Sequence, residues 1–188
     1  MKTIINDVTT EIDVKNSRFI TKLIRINNSD TINTYLEQAK QEYPKATHYC
    51  YAFRTLNTQK SSDDGEPGGT AGLPMLNVLI KEDLINVLAI TIRYFGGIKL
   101  GAGGLVRAYT KSLTNTLENT ETKELIEGYL IKIETDYENT KQLDYILKDE
   151  NIISKDFQQK VTYTIEIPKD KLNELNTYNP TIIEERYI

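Results

Sequence analysis

Val87-Leu88-Ala89-Ile90-Thr91-Ile92-Arg93-Tyr94-Phe95-Gly96-Gly97-Ile98-Lys99-Leu100-Gly101-Ala102-Gly103-Gly104-Leu105-Val106-Arg107-Ala108-Tyr109-Thr110-Lys111 reads as a strand, a glycine-dense turn and a helix in succession. The apolar, β-branched run Val87–Ile92 has the composition of a buried strand. In the helix, Leu105, Tyr109, Leu113 and Leu117 recur every four residues, as one buried face requires. Arg107 and Lys111 fall on a different face. A helix start behind a glycine turn leaves backbone N–H groups where an anion can sit. From Leu84 to Leu117 there are four basic residues, Arg93, Lys99, Arg107 and Lys111, and no acidic one. Two readings follow. In one, Gly101, Gly103 and Gly104 together with the four cations form an anion-binding segment. In the other, the glycines only permit tight helix–sheet packing and the cations are solvated. No phosphate-loop signature is present, and position 106 is Val where the dinucleotide fingerprint needs its third glycine.

Outward from this stretch the chain divides in character. Its 188 residues suit one large domain or two small ones. Residues 1–120 carry 14 basic and 12 acidic side chains, and residues 121–188 carry 9 and 15, so the halves differ in net charge, +2 against −6. A phosphate-binding surface belongs to the first half, and the acidic second half suits a protein partner. The single cysteine, Cys50, excludes an internal disulfide and fits a reducing compartment. No run reaches the apolar length of a membrane span, and residues 1–7 are too polar for a signal peptide, so the chain reads as cytoplasmic.

Before the central stretch, residues 3–14 read as a strand and residues 18–26 as a second, paired with it. Ser29 or Asp30 is placed to cap a helix ending before Pro44, with Ile32, Leu36 and Ala39 inward. Thr47 to Arg54 alternates, with Tyr49, Tyr51 and Phe53 on one face and His48, Cys50, Ala52 and Arg54 on the other. Such aromatics either stack bases or pack as core, and core is the preferred reading. A structural zinc needs four ligands, more than one Cys and one His supply. His48 and Cys50 are therefore structural or, with Arg54, pocket-lining. No residues read as a catalytic set.

Residues 61–74 form a long turn with three carboxylates, Asp63, Asp64 and Glu66, followed by a helix start with Thr70 as its cap and Leu76, Leu79 and Ile80 inward. Three hard oxygen ligands suit a magnesium ion shared with a phosphate. Alternatively the carboxylates pair with Arg54 or Arg93, or cap backbone N–H groups, and this second reading is preferred. After a polar joint at residues 119–122, a strand (125–135), a helix capped by Asp136 (to about 150), two strands (151–157 and 160–167), a short helix from Pro168 and a strand (181–188) follow in β-α-β-β-α-β order. That is the order of a ferredoxin-like domain.

Three motifs together resemble the YigZ/IMPACT family. They are Ala46-x-His48-x-Cys50-x-Ala52-Phe53-Arg54, the loop Asp63 through Pro74, and Arg93 through Tyr109. Many members have Ser at the position of Gly69 and a basic residue at that of Leu73. The resemblance implies an α+β fold: residues 1–120 like the second domain of a small-subunit ribosomal protein, and residues 121–188 a ferredoxin-like domain resembling the last domain of the translocation factor EF-G. It also implies a link to translation. The kinase-control activity of eukaryotic members is tied to an additional domain and is not carried over.

Two functions are expected. The first is a non-enzymatic translation-linked regulator that binds RNA, the ribosome or a translation factor through Arg93, Lys99, Arg107, Lys111 and the glycine turn. The second is a Mg²⁺-dependent enzyme or binding protein for a phosphorylated small molecule or nucleotide, with Asp63, Asp64 and Glu66 on the metal. The first needs no cofactor.

Overall fold

The Val87–Tyr94 strand is buried on both faces because helices cover it from both sides. In the computed structural model, which describes residues 1–188, the first unit runs from Met1 to Glu124. Its elements are β1 (Lys2–Ile4), β2 (Val8–Val14), β3 (Ser17–Arg25), α1 (Ile32–Glu42), β4 (His48–Arg54), β5 (Gln59–Ser62), α2 (Gly72–Lys81), β6 (Val87–Tyr94), α3 (Ala102–Glu118) and β7 (Thr122–Glu124). Five strands form an antiparallel sheet in the order β2-β3-β6-β4-β5. Successive side chains of β6 point to opposite faces. Leu88, Ile90 and Ile92 meet Ile32 and Ala39 of α1, joined by Tyr49, Tyr51 and Phe53. The β4 aromatics are thus core and not a stacking platform. Val87 and Ala89 meet Met75, Leu79, Leu105, Tyr109 and Leu113 of α2 and α3.

Several expected boundaries move, each for a local reason. The strand expected over 3–14 breaks at residues 5–7, and β1 leaves the main sheet to pair with β7. That pairing draws residues 122–124 into the first unit, so the division falls between 124 and 125 rather than at 120. β5 pairs only with β4, and its sequence Gln-Lys-Ser-Ser carries no apolar alternation to announce it. Neither Ser29 nor Asp30 caps α1, which begins after Thr31 without a side-chain cap bond. Thr70 does not cap α2 either; its hydroxyl donates to the Pro67 carbonyl (2.6 Å). Ile80 points outward.

The second unit, Leu125–Ile188, contains β8 (Glu127–Thr135), α4 (Thr140–Ile146), β9 (Asn151–Phe157), β10 (Val161–Pro168) and β11 (Thr181–Tyr187). Its sheet is antiparallel in the order β11-β8-β10-β9, as a ferredoxin-like domain requires. Ile131, Ile133, Tyr163, Ile165 and Ile167 line one face under Leu143, Leu147 and Leu175. The expected helix 136–150 is shorter: a 3₁₀ turn at 137–139 precedes α4, and Asp136 makes no cap bond. A 3₁₀ segment (Lys169–Tyr178) stands where the last helix is expected. No helix of either unit is long and apolar enough to cross a membrane.

Candidate functional site

Glu66 organises the polar interior of the first unit. It sits in the loop between β5 and α2 and is buried. Arg93, at the end of β6, is only 4% exposed and donates from Nη1 to Glu66 Oε1 at 2.6 Å. Tyr109 of α3 donates its hydroxyl to the same oxygen at 2.8 Å. Arg93 Nη2 reaches the Ser17 hydroxyl (3.3 Å), and the guanidinium lies over the rings of Phe19 and Phe95, 5.4 and 5.5 Å from their centroids. The loop, β6, the β2–β3 hairpin and α3 are therefore tied through one carboxylate.

His48 and Cys50 of β4 join this cluster from one side. The His48 Nδ1–H donates to the Asp64 carbonyl (2.8 Å), which turns Nε2 toward Glu66 Oε2 at 3.7 Å. The Cys50 thiol donates to the Asp63 carbonyl (2.9 Å), with the Tyr109 hydroxyl oxygen at 3.3 Å. Burial pushes the thiol well above its ordinary range, and the nearby carboxylates push the same way. Burial likewise raises the Tyr109 phenol, reinforced by Cys50 and Glu66. Both groups are held protonated, and neither is a ready nucleophile or base. Cys50 has no accessible surface and so lines no open pocket. Arg54 is not part of the cluster: its Nη1 donates to the carbonyls of Leu79 (3.2 Å) and Leu84 (3.0 Å), beyond the reach of the acidic loop.

The three loop carboxylates are turned to separate tasks. Asp63 accepts from the backbone N–H groups of Gly69 (2.8 Å), Ala71 (3.0 Å) and Gly72 (2.8 Å), so it is the cap of α2 that Thr70 is not. Burial pushes its carboxyl up, but the three N–H groups outweigh this and hold it below the usual range. Asp64 accepts from the Tyr49 N–H (2.6 Å). No three acidic, histidine or cysteine side chains converge as metal ligands. Asp63, Asp64 and Glu66 turn toward different protein donors: the α2 amides, the Tyr49 N–H, and Arg93 with Tyr109.

The basic segment splits in two. Arg93 is excluded from any surface anion site, since it is buried and neutralised by Glu66. Lys99, Arg107 and Lys111 are exposed, and their side chains make no ion pair or hydrogen bond. α3 begins after Gly101, which has φ +71°, a value that strains any residue with a Cβ. Its first ladder bond is Leu105 N–H to the Gly101 carbonyl (2.9 Å), which leaves the amides of residues 102–104 outside the ladder. No side chain caps this end, and no acidic residue stands in the first turn. The Arg107 guanidinium lies back over it, 3.5 Å from where a Cβ on Gly103 would stand.

The glycines divide in the same way. A Cβ on Gly96 would fall 2.1 Å from the Asn16 backbone, and one on Gly104 would fall 3.0 Å from the Leu100 Cβ, so these two serve packing. Gly103 has neither a close neighbour nor a positive φ to require glycine. Sequence reasoning misses the role of Tyr109, which reads as a plain apolar position. It also passes over Phe95 and Ile98, which lie 46% and 45% exposed between β6 and α3. Gly69 and Leu73 both line a shallow groove between α2 and α3.

The sequence matches the Impact N-terminal domain over residues 15–117. It is 46% identical over 112 residues to the "IMPACT family member YvyE" of Bacillus subtilis, an alignment spanning 58% of this chain and 52%, about half, of that relative. It is 34% identical over 178 residues to the "IMPACT family member YigZ" of Escherichia coli, covering 90% of this chain and 86% of the relative. A solved structure described as a hypothetical protein aligns over 100% of this chain and 95% of its own, with a TM-score of 0.68 and 29% identity. This chain belongs to the IMPACT family.

Proposed function

We propose that this is a non-enzymatic, translation-linked protein that binds RNA, on the ribosome or beside it, through the start of α3. The observation that carries the reading is the uncapped, acid-free helix start at Gly101–Gly104, flanked by three exposed and unpaired cations. A phosphate there meets free N–H groups and the positive end of the helix dipole, worth about 0.3–1 kcal/mol. Lys99, Arg107 and Lys111 add phosphate contacts. The exposed Phe95 ring supplies a face for an unpaired base. Gly103 costs roughly 1 kcal/mol of helix propensity against Ala, a cost that close backbone approach by a ligand accounts for. The link to translation comes from the family resemblance. The second unit carries 8 basic and 13 acidic residues over 125–188 and meets a protein partner rather than RNA.

Salt dependence tests the reading. Three phosphates neutralised on single-stranded RNA give a slope of log affinity against log salt of about −2.1. Arg93 as a fourth contact would make it about −2.8. Ribosome sedimentation across a salt series, with an Arg107→Glu, Lys111→Glu variant checked by circular dichroism, should show salt-sensitive binding that the folded variant loses. A flat salt series, or a folded variant that sediments like the wild type, overturns it.

A further inference from the structure

The buried face of β8 changes character at its end. Ile131 and Ile133 belong to the core of the second unit, and the next position on the same face is Thr135. Thr135 is only 6% exposed, yet its hydroxyl has no hydrogen-bond partner in the protein. Its cross-strand neighbour is Val161, and a valine at 135 would fill the same volume on a strand without burying a polar group. A buried hydroxyl left without a partner is destabilising, so its presence in a native fold calls for one.

Thr135 lines a cavity of about 390 Å³ bounded by the 3₁₀ turn ahead of α4 and by the end of the Lys169–Tyr178 segment. The wall is polar. Asn139, Gln142 and Asn179 line it, and none of their side-chain amides bonds to the protein. Tyr178 packs against the core and also lines the cavity, and its hydroxyl has no partner. The charges are of both signs. Glu134 and Asp136 flank Thr135 in the chain, and Lys160 Nζ lies 3.9 Å from each of their carboxylates. That is beyond hydrogen-bond distance, so neither carboxylate is closely paired with it.

We infer that this cavity binds a small zwitterion of the amino-acid class, with an ammonium and a carboxylate on adjacent atoms. The ammonium lies between Glu134 and Asp136, and the carboxylate meets Lys160. The Thr135 hydroxyl and the three amides take the remaining polar groups, since each can donate or accept. Hydrogen bonds to charged groups are the strong ones, so the two ends of the ligand fix its orientation. A simple anion is disfavoured because two carboxylates face it, and a simple cation because Lys160 already stands near both. An apolar ligand would leave the amides of the wall unpaired. The site lies wholly in the second unit and does not depend on the RNA contact proposed for the first.

The test uses the full chain, isotopically labelled, titrated with free L-amino acids in pools sorted by side chain. The amino acid with the largest effect is then compared with its own C-terminal amide and its N-acetyl derivative. The free amino acid should shift the amide signals of residues 134–142, 160 and 177–179. Removing either charge should weaken binding at least about tenfold. Thr135→Val removes the hydroxyl at nearly constant volume and should weaken binding at least about threefold with no loss of thermal stability. Lys160→Met should abolish the advantage of the free carboxylate over the amide, and circular dichroism shows that both variants are folded. The proposal is overturned if no pool shifts those signals at about 10 mM, if the amide or the N-acetyl derivative binds as tightly as the free amino acid, or if Thr135→Val binds like the wild type.

Discussion

Glu66→Gln isolates the charge at the centre of the cluster. The side chains of Glu66 and Arg93 are 3% and 5% exposed, so solvent screens neither. Gln keeps the volume and one acceptor for Tyr109, but it leaves the guanidinium without a counter-charge. Arg93 is already short of one bond, since its Nε finds no acceptor. Removing one partner of a buried pair costs about 3–5 kcal/mol, because the remaining charge stays desolvated. For a unit of this size that lowers Tm by roughly 10 °C or more. The chain has no tryptophan, so far-UV circular dichroism in a urea series is the assay, with the first unit's transition followed in the full chain. Arg93→Met should be similarly damaging alone, because it strands the Glu66 carboxylate. The double variant should be less damaged than the sum of the two by at least about 2 kcal/mol. A Glu66→Gln loss under about 1 kcal/mol, or additivity in the cycle, would refute the pairing.

Four further outcomes are expected. Asp63→Ala should cost about 1–2 kcal/mol at neutral pH through loss of the α2 cap. The folded pKa of Asp63 lies below its unfolded value near 3.9. Its contribution is therefore full above that value and fades as pH falls through the folded one, so the deficit of the variant should shrink in acid; an unchanged deficit in urea midpoints at low pH would contradict this. Cys50 should react with thiol reagents only at the unfolding rate, and rapid stoichiometric labelling of the folded chain would show that its burial is not maintained. Gly96→Ala should lose at least about 2 kcal/mol, because its Cβ would meet the Asn16 backbone. Gly103→Ala should gain up to about 1 kcal/mol and weaken ribosome sedimentation, and a stabilised variant that binds normally would remove Gly103 from the contact.

What the sequence discloses here is what is periodic and local. The alternation of β4 separates Tyr49 and Tyr51 from Cys50 and Ala52, and the two sets do lie in different core clusters. The four-residue repeat of Leu105, Tyr109 and Leu113 names the buried face of α3. In the second unit, Tyr163, Ile165 and Ile167 alternate cleanly, and the ferredoxin-like order follows. What stays hidden depends on partners distant in the chain. Asp63 caps a helix that begins nine residues later, where a local reading looks to Thr70. β5 exists because β4 offers it backbone partners, not because Gln-Lys-Ser-Ser prefers to be a strand. Arg93 at the end of an apolar strand looks like an exposed anchor, and its burial depends on a carboxylate 27 residues earlier.

That last misreading has a functional consequence. A count of four cations between Leu84 and Leu117 treats them as one surface, yet the fold gives them two occupations. Arg93 and Gly96 sit where β6 meets the β2–β3 hairpin, one bonded to the Ser17 hydroxyl and the other packed on the Asn16 backbone. They fix the end of the strand. Lys99, Gly103, Arg107 and Lys111 lie past the turn, with no protein partner for any of the three cations. The Glu66–Tyr109 bond connects the two groups, because it anchors α3 to the same carboxylate that neutralises Arg93. A mutation in the first group acts on stability and, through α3, on the position of the second. On the proposed reading, a mutation of Lys99, Arg107 or Lys111 acts on binding with little effect on stability. Stability and salt slope, measured on the same variants, therefore separate the strand-end cation from the helix-start cations.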